Sequence, residues 1–234
     1  MSAVDTASRF LLNKSARVLI GLVYGLLLIA CATPTPTLQT DRECHPGIDA
    51  AVQTGDWETA RLAHERLLAE DPDNCLALYH LGYIWGQIGD RAQEVQFYEA
   101  AVDCGYTDDD RLYFNMGMAY ADLGNVADAS RALERAVQLR PHHADNHFGL
   151  GLMHQLAGRS DEAEASFLNA LNLDRTHEDA RLALIRLYLD QSRWDDARQH
   201  LRQINAQDPG FEEAKALWQI LESREAAEYG HPGR

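Results

Sequence analysis

Apolar positions along most of the chain recur at helical spacing rather than in alternation. Between residues 110 and 143, Leu112, Met116, Ala119 and Tyr120 fall on one stripe. Ala129, Ala132, Leu133, Ala136 and Val137 fall on a second. Gly124-Asn125 breaks the pattern between the stripes and Pro141 stops the second one. This predicts two amphipathic helices joined by a short turn. The arrangement repeats: Leu81-Gly82, Met116-Gly117 and Leu150-Gly151 are spaced 35 and 34 residues apart, and each is followed seven residues after its Gly by Gly89, Gly124 or Gly158. A period of this size marks a chain built by stacking helical hairpins, each too small to bury its own apolar face.

The clearest unit, Asp110 to His143, places Tyr113, Met116, Gly117, Tyr120, Ala129, Leu133, Ala136 and Pro141 at eight fixed offsets. This pattern resembles the tetratricopeptide repeat, and all eight positions match by residue class. Extending the register gives repeats at 41–74, 75–109, 110–143, 144–177 and 178–211. Repeat 75–109 keeps Leu78, Leu81, Gly82, Trp85, Tyr98 and Ala101; repeat 144–177 keeps Leu150, Gly151, Ala163, Phe167 and Ala170; repeat 178–211 keeps Leu184, Tyr188, Ala197, Leu201 and Pro209. Ala214, Leu217, Trp218 and Leu221 then trace one face of a final helix at about 212–228, with Glu213, Lys215, Glu222 and Glu225 on its other side as a solubilising cap. The resemblance implies an all-α, right-handed superhelical solenoid of helix-turn-helix hairpins closed by a C-terminal capping helix, occupying residues 41–230.

The first 40 residues follow a different pattern. Val18 to Ala30 is an uncharged, nearly wholly apolar run of 13 residues, preceded by Arg9, Lys14 and Arg17. That length suits the core of an export signal and is short of the roughly 20 residues a spanning helix needs. The run ends in Leu28-Ile29-Ala30-Cys31, which resembles a bacterial lipobox. By that resemblance residues 1–30 are a lipoprotein signal peptide, and Cys31 becomes the first mature residue and carries covalent lipid. Two or three acyl chains anchor durably, since each buried CH₂ contributes about 0.8 kcal/mol. Ala32, where an Asp would favour inner-membrane retention, points to the outer membrane. Residues 31–40, with Pro34 and Pro36, read as an extended tether; from Ala32 to Thr40 it would reach about 28 Å at roughly 3.1 Å per residue.

The chain carries 36 acidic and 21 basic residues, a net charge of −15. Removing the signal segment with Arg9, Lys14, Arg17 and Asp5 leaves 18 basic against 35 acidic residues. So negative a surface repels phosphate backbones and excludes nucleic acid as a partner. The family pattern instead implies a protein partner bound along a concave groove lined by the fifth and ninth positions of each unit. Here these are Tyr79 and Tyr83, Phe114 and Met118, Phe148 and Leu152, and Leu182 and Arg186. The chaperone-binding version of the fold clamps a carboxylate with Lys and Asn at these positions. The rings and aliphatic groups found here imply a mainly apolar ligand, with any cationic group meeting Asp122, Asp145, Asp179 or Asp190.

Candidate chemistry is sparse. Ten histidines include His143 and His147 four residues apart, yet no Cys or carboxylate completes a recognisable metal-ligand set. Glu94 stands where the repeat expects a small residue packed against Gly82, so its carboxylate must turn outward, bond to a neighbour such as Tyr79 or His80, or take a raised pKa. Cys44, Cys75 and Cys104 remain beside the lipidated Cys31, and three disulfide pairings are open. With no phosphate loop, nucleophile elbow, zinc-protease helix or paired-carboxylate cleft, the reading is of a non-enzyme needing no cofactor. In plan the chain resembles lipid-anchored outer-membrane adaptors that assist assembly of type IV pilus secretin rings. Scaffolds of peptidoglycan hydrolases, components of polysaccharide export and self-oligomerising modules are the alternatives.

Overall fold

A computed structural model describes residues 51–204 and 210–229. After helical residues 51–54, the helices are α1 (Trp57–Glu70), α2 (Cys75–Ile88), α3 (Arg91–Cys104), α4 (Asp110–Asp122), α5 (Val126–Leu139), α6 (Ala144–Leu156), α7 (Ser160–Leu173), α8 (Glu178–Asp190), α9 (Trp194–Leu201) and α10 (Phe211–Tyr229). The described residues are all-α, with no strand among them. They divide into two compact units, with the boundary between Ala129 and Ser130 in α5. The signal segment, the tether, Cys31 and Cys44 lie outside the described residues.

Local chemistry sets the helix ends. Asp56, Asn74, Asp90 and Asp109 each accept a backbone N–H from the first turn of the helix that follows, satisfying a donor with no intrahelical partner. Exits from the first helices follow one geometry: Gly89 N–H donates to Gly86 O and Asp90 N–H to Trp85 O, and the same pair of bonds recurs at Gly124-Asn125 and Gly158-Arg159. The Gly in each is left-handed, at φ of 95°, 79° and 72°. Ser192 takes that conformation before α9, at φ 59°, without a glycine.

Close approach of paired helices explains the small residues. In the first unit Tyr98 of α3 is fully buried against Gly82 of α2. In the second, the fully buried ring of Phe167 on α7 lies against Gly151 of α6. Burying such a ring contributes about 1.5 to 3 kcal/mol. Leu81, Ile84, Ala101 and Leu112 complete the core of the first unit, and Met153, Ala163, Leu184, Ile185 and Leu201 that of the second. Tyr98, four residues after Glu94, therefore occupies the place opposite Gly82 that the sequence pattern assigned to Glu94.

The last helix packs through Ala214, Leu217 and Leu221, all buried, while Trp218 is half-buried. Two of the carboxylates expected to solvate its outer face bond inward instead. Glu213 pairs with Arg186 of α8 and Glu225 with Arg198 of α9. Arg224 Nη1 donates to Leu189 O at 2.9 Å. These bonds pin α10 to the last hairpin.

Candidate protein-binding surface and its supports

The sequence placed Tyr79, Tyr83, Phe114 and Met118 of the first unit on an open concave face. Tyr79, Tyr83 and Phe114 are in fact buried, and Met118 is half-exposed. Tyr79 is only 5% exposed because three rings surround it. Tyr106 stacks on it with centroids 5.1 Å apart and planes at 17°, Tyr98 lies at 5.9 Å and His80 at 5.6 Å. Burial raises the Tyr79 hydroxyl pKa, so the group stays a neutral phenol. Tyr83 meets Trp57 edge to face at 6.1 Å.

In the second unit Leu152 and Leu182 are likewise buried, while Phe148 and Arg186 are half-buried. Phe148 packs near Phe167 and His177, with centroids 6.0 and 5.0 Å away. Leu182 is covered at the entry to α10, where a Cβ on Gly210 would stand 2.8 Å from Leu182 Cδ1. Five of the eight expected groove residues thus serve packing within their own unit. Met118, Phe148 and Arg186 keep accessible surface, and Arg186 already holds Glu213.

The acids expected to receive a cationic ligand are largely engaged. Asp122 receives Arg91 Nε at 2.8 Å. Asp145 Oδ1 lies 3.2 Å from His177 Nε2, and hydrogen bonding to His177 is the main cause holding the Asp145 carboxyl below its usual pKa. Asp190 lies 3.5 Å from Arg224. The second unit also builds a charged clamp unseen in the sequence. Tyr188 Oη donates to Glu164 at 2.9 Å, Arg193 pairs with the same carboxylate, and its guanidinium sits 4.3 Å above the Tyr188 ring.

Glu94 is 6% exposed and bonded to Arg91, which bridges it to Asp122. Its carboxylate lies over Gly86, where a Cβ would stand 2.6 Å from Oε1. Burial, only partly offset by Arg91, pushes its pKa up to about 7. The expected Tyr79 or His80 partner is replaced by Arg91 because the side chain points toward the turn at Gly89. His80 instead meets His64: the two rings are linked Nδ1 to Nε2 at 3.1 Å, and His64 Nδ1 lies 2.8 Å from Ala60 O. Desolvation and the neighbouring His64 lower the His80 pKa to about 3.

Cys75 and Cys104 form a disulfide with Cα atoms 5.4 Å apart. It joins the first residue of α2 to the last of α3, closing the open end of a hairpin whose other end is the Gly89-Asp90 turn. This repeat lacks the proline that ends repeat 110–143. Left-handed Gly105, at φ 108°, and Tyr106 terminate α3 instead, with Tyr106 N–H donating to Ala101 O at 2.9 Å. Tyr106 Oη donates to Asp109 at 3.0 Å, and Asp109 also accepts from the Arg111 side chain and caps α4. Tyr106 escaped the sequence reading; its signal was the Cys104-Gly105 end where the repeat expects proline.

No group of three or more His, Cys, Asp and Glu side chains that could hold a metal occurs among the described residues. No described helix is long and apolar enough to cross a membrane.

Tetratricopeptide repeat models match residues 47–108, 114–180 and 155–219. The chain belongs to the tetratricopeptide repeat family. It resembles the solved structure of YrrB, described as a TPR protein with an unusual peptide-binding site, at 19% identity and TM-score 0.61 over 76% of this chain and 88% of that one. It also resembles PilF of Pseudomonas aeruginosa, at 19% identity and TM-score 0.60 over 78% of this chain and 89% of that one. Among curated proteins, the cellulose synthase operon protein C of Xanthomonas axonopodis pv. citri is 36% identical over 98 residues, 42% of this chain and 6% of its own length. The chain spans less than a fifth of the length of the curated relatives it matches. The protein is a TPR-type protein-interaction scaffold.

Proposed function

We propose that this scaffold is a lipid-anchored adaptor of the cell envelope, held through Cys31 at the periplasmic face of the outer membrane, where it binds a protein partner and assists assembly of an envelope complex of the type IV pilus or secretion kind. The observation that carries the reading is the Cys75–Cys104 disulfide. Such bonds persist in oxidising compartments outside the cytoplasm, where the signal at residues 1–30 would deliver the chain. Binding uses half-exposed apolar side chains on the first helices of the hairpins, Met118 within the first unit and Phe148 within the second, and involves no catalytic step.

The experiment is fractionation of cells producing the full chain or its Cys31→Ser variant after labelling with a fatty acid. The adaptor reading expects label and outer-membrane recovery for the parent and neither for the variant. Label on the variant, or recovery of the parent in the cytoplasm, overturns it. A second reading, a scaffold in polysaccharide export, is favoured by the match to the cellulose synthase operon protein. Loss of exported polysaccharide with intact pili on deletion would select it.

A further inference from the structure

Tyr79 stands at a groove position of the family pattern, yet its ring is covered by Tyr106, a residue from the turn that follows α3. That turn is held at two ends. On one side, Cys104 is bonded to Cys75, and Gly105 and Tyr106 close α3 onto Val102 O and Ala101 O. On the other, Tyr106 Oη is bonded to Asp109, the residue that caps α4. The disulfide lies two residues from the covering ring, and both its cysteines are half-buried rather than enclosed, within reach of a redox partner.

We propose that the segment 105–109 is a redox-anchored cover: with Cys75–Cys104 intact it seals Tyr79 beneath Tyr106, and reduction of the bond releases it and opens that position to a partner. This rests on the reading of Tyr79 as partner-facing. The reductant is a dithiol oxidoreductase. One of its thiolates attacks a sulfur of the Cys75–Cys104 bond and forms a mixed disulfide, while the other sulfur leaves as a thiolate and takes up a proton. Its second thiol then attacks the mixed disulfide, leaving Cys75 and Cys104 as thiols and the reductant as a disulfide. Freed of the bond, the last turn of α3 keeps only its backbone closure at Gly105, and the open end of the hairpin can part. Tyr98, packed against Gly82 in the middle of the hairpin, stays enclosed.

Hydroxyl-radical footprinting read by mass spectrometry tests this on the full chain in a Cys44→Ser background, which removes disulfide exchange with the third cysteine. Three proteins are compared: the disulfide form, a Cys75→Ser, Cys104→Ser variant standing in for the reduced state, and a Tyr106→Ala variant with the disulfide intact. The expected result is several-fold faster oxidation of Tyr79 in both variants with Tyr98 unchanged. Unchanged Tyr79 in the serine variant shows that the bond does not anchor the cover and overturns the proposal. Unchanged Tyr79 in Tyr106→Ala shows that Tyr106 is not the cover and overturns it equally. Tyr79 and Tyr98 rising together in either variant means the hairpin has unfolded and also overturns it. No partner enters the readout, so failure of the adaptor reading would leave the result interpretable.

Discussion

The ring of Tyr98 lies so close to Gly82 that a Cβ on Gly82 would stand 2.5 Å from Cδ1 of the ring. The contact brings α2 and α3 together, and the ring, fully buried, has little room to withdraw. Gly82→Ala should therefore destabilise the protein by about 1 to 3 kcal/mol through overpacking. Thermal unfolding should show a midpoint lower by roughly 2 to 4 °C for each kcal/mol. Gly151→Ala should behave alike, since a Cβ there would stand 2.6 Å from the Phe167 ring. An unchanged midpoint in both would refute the register that sets Tyr98 against Gly82 and Phe167 against Gly151.

The hairpin closed by Cys75 and Cys104 spans a sequence separation of 29. Removing the bond restores freedom to the unfolded chain, and a native disulfide contributes about 2 to 4 kcal/mol. In a Cys44→Ser background, Cys75→Ser, Cys104→Ser should lower stability by that order in urea titrations under oxidising conditions, and dithiothreitol should lower the disulfide form toward that variant while leaving the variant unmoved.

Glu94 gives a pH dependence of defined sign. Its folded pKa of about 7 exceeds its ordinary value of 4.5, so between those values the folded protein holds a proton that the unfolded chain has released. Stability from this group is full below about pH 4.5 and is lost as pH rises toward and through 7. The loss is about 3 kcal/mol if the whole shift is expressed. Glu94→Gln should lack this fall, so the difference between parent and variant stability should change steadily from pH 4.5 to 8. A constant difference over that range would show that the carboxyl is not held protonated by burial. His80 acts oppositely: its folded pKa of about 3 means stability is present above pH 6.5 and lost as pH falls toward 3.

The 34-residue spacing, the glycines at the hairpin turns and the stripes at 110–143 carried the fold in plain view, because repeat packing requires small residues and helical period at fixed offsets. The surface was less legible. Position within a repeat says which way Tyr79 or Leu182 starts from its helix, but Tyr106 and Gly210, which lie against them, come from the inter-repeat turns, where the repeat pattern sets at most a proline. Glu94 misled for a related reason. Its offset matched a position facing Gly82, while its length carried the carboxylate to Arg91 and over Gly86. The disulfide pairing was open in sequence because Cys75 and Cys104 meet only once the hairpin forms.

Partner binding through half-exposed apolar side chains, Met118 in the first unit and Phe148 in the second, can be read out by site-specific photocrosslinking in living cells. A photoreactive amino acid would replace Met118, Phe148 or, as comparison, Leu62, which is exposed on α1. Crosslinks to the same envelope protein are expected from Met118 and Phe148 and none from Leu62. Crosslinks from Leu62 with silence at Met118 and Phe148 would contradict that expectation and move the binding surface elsewhere on the repeats.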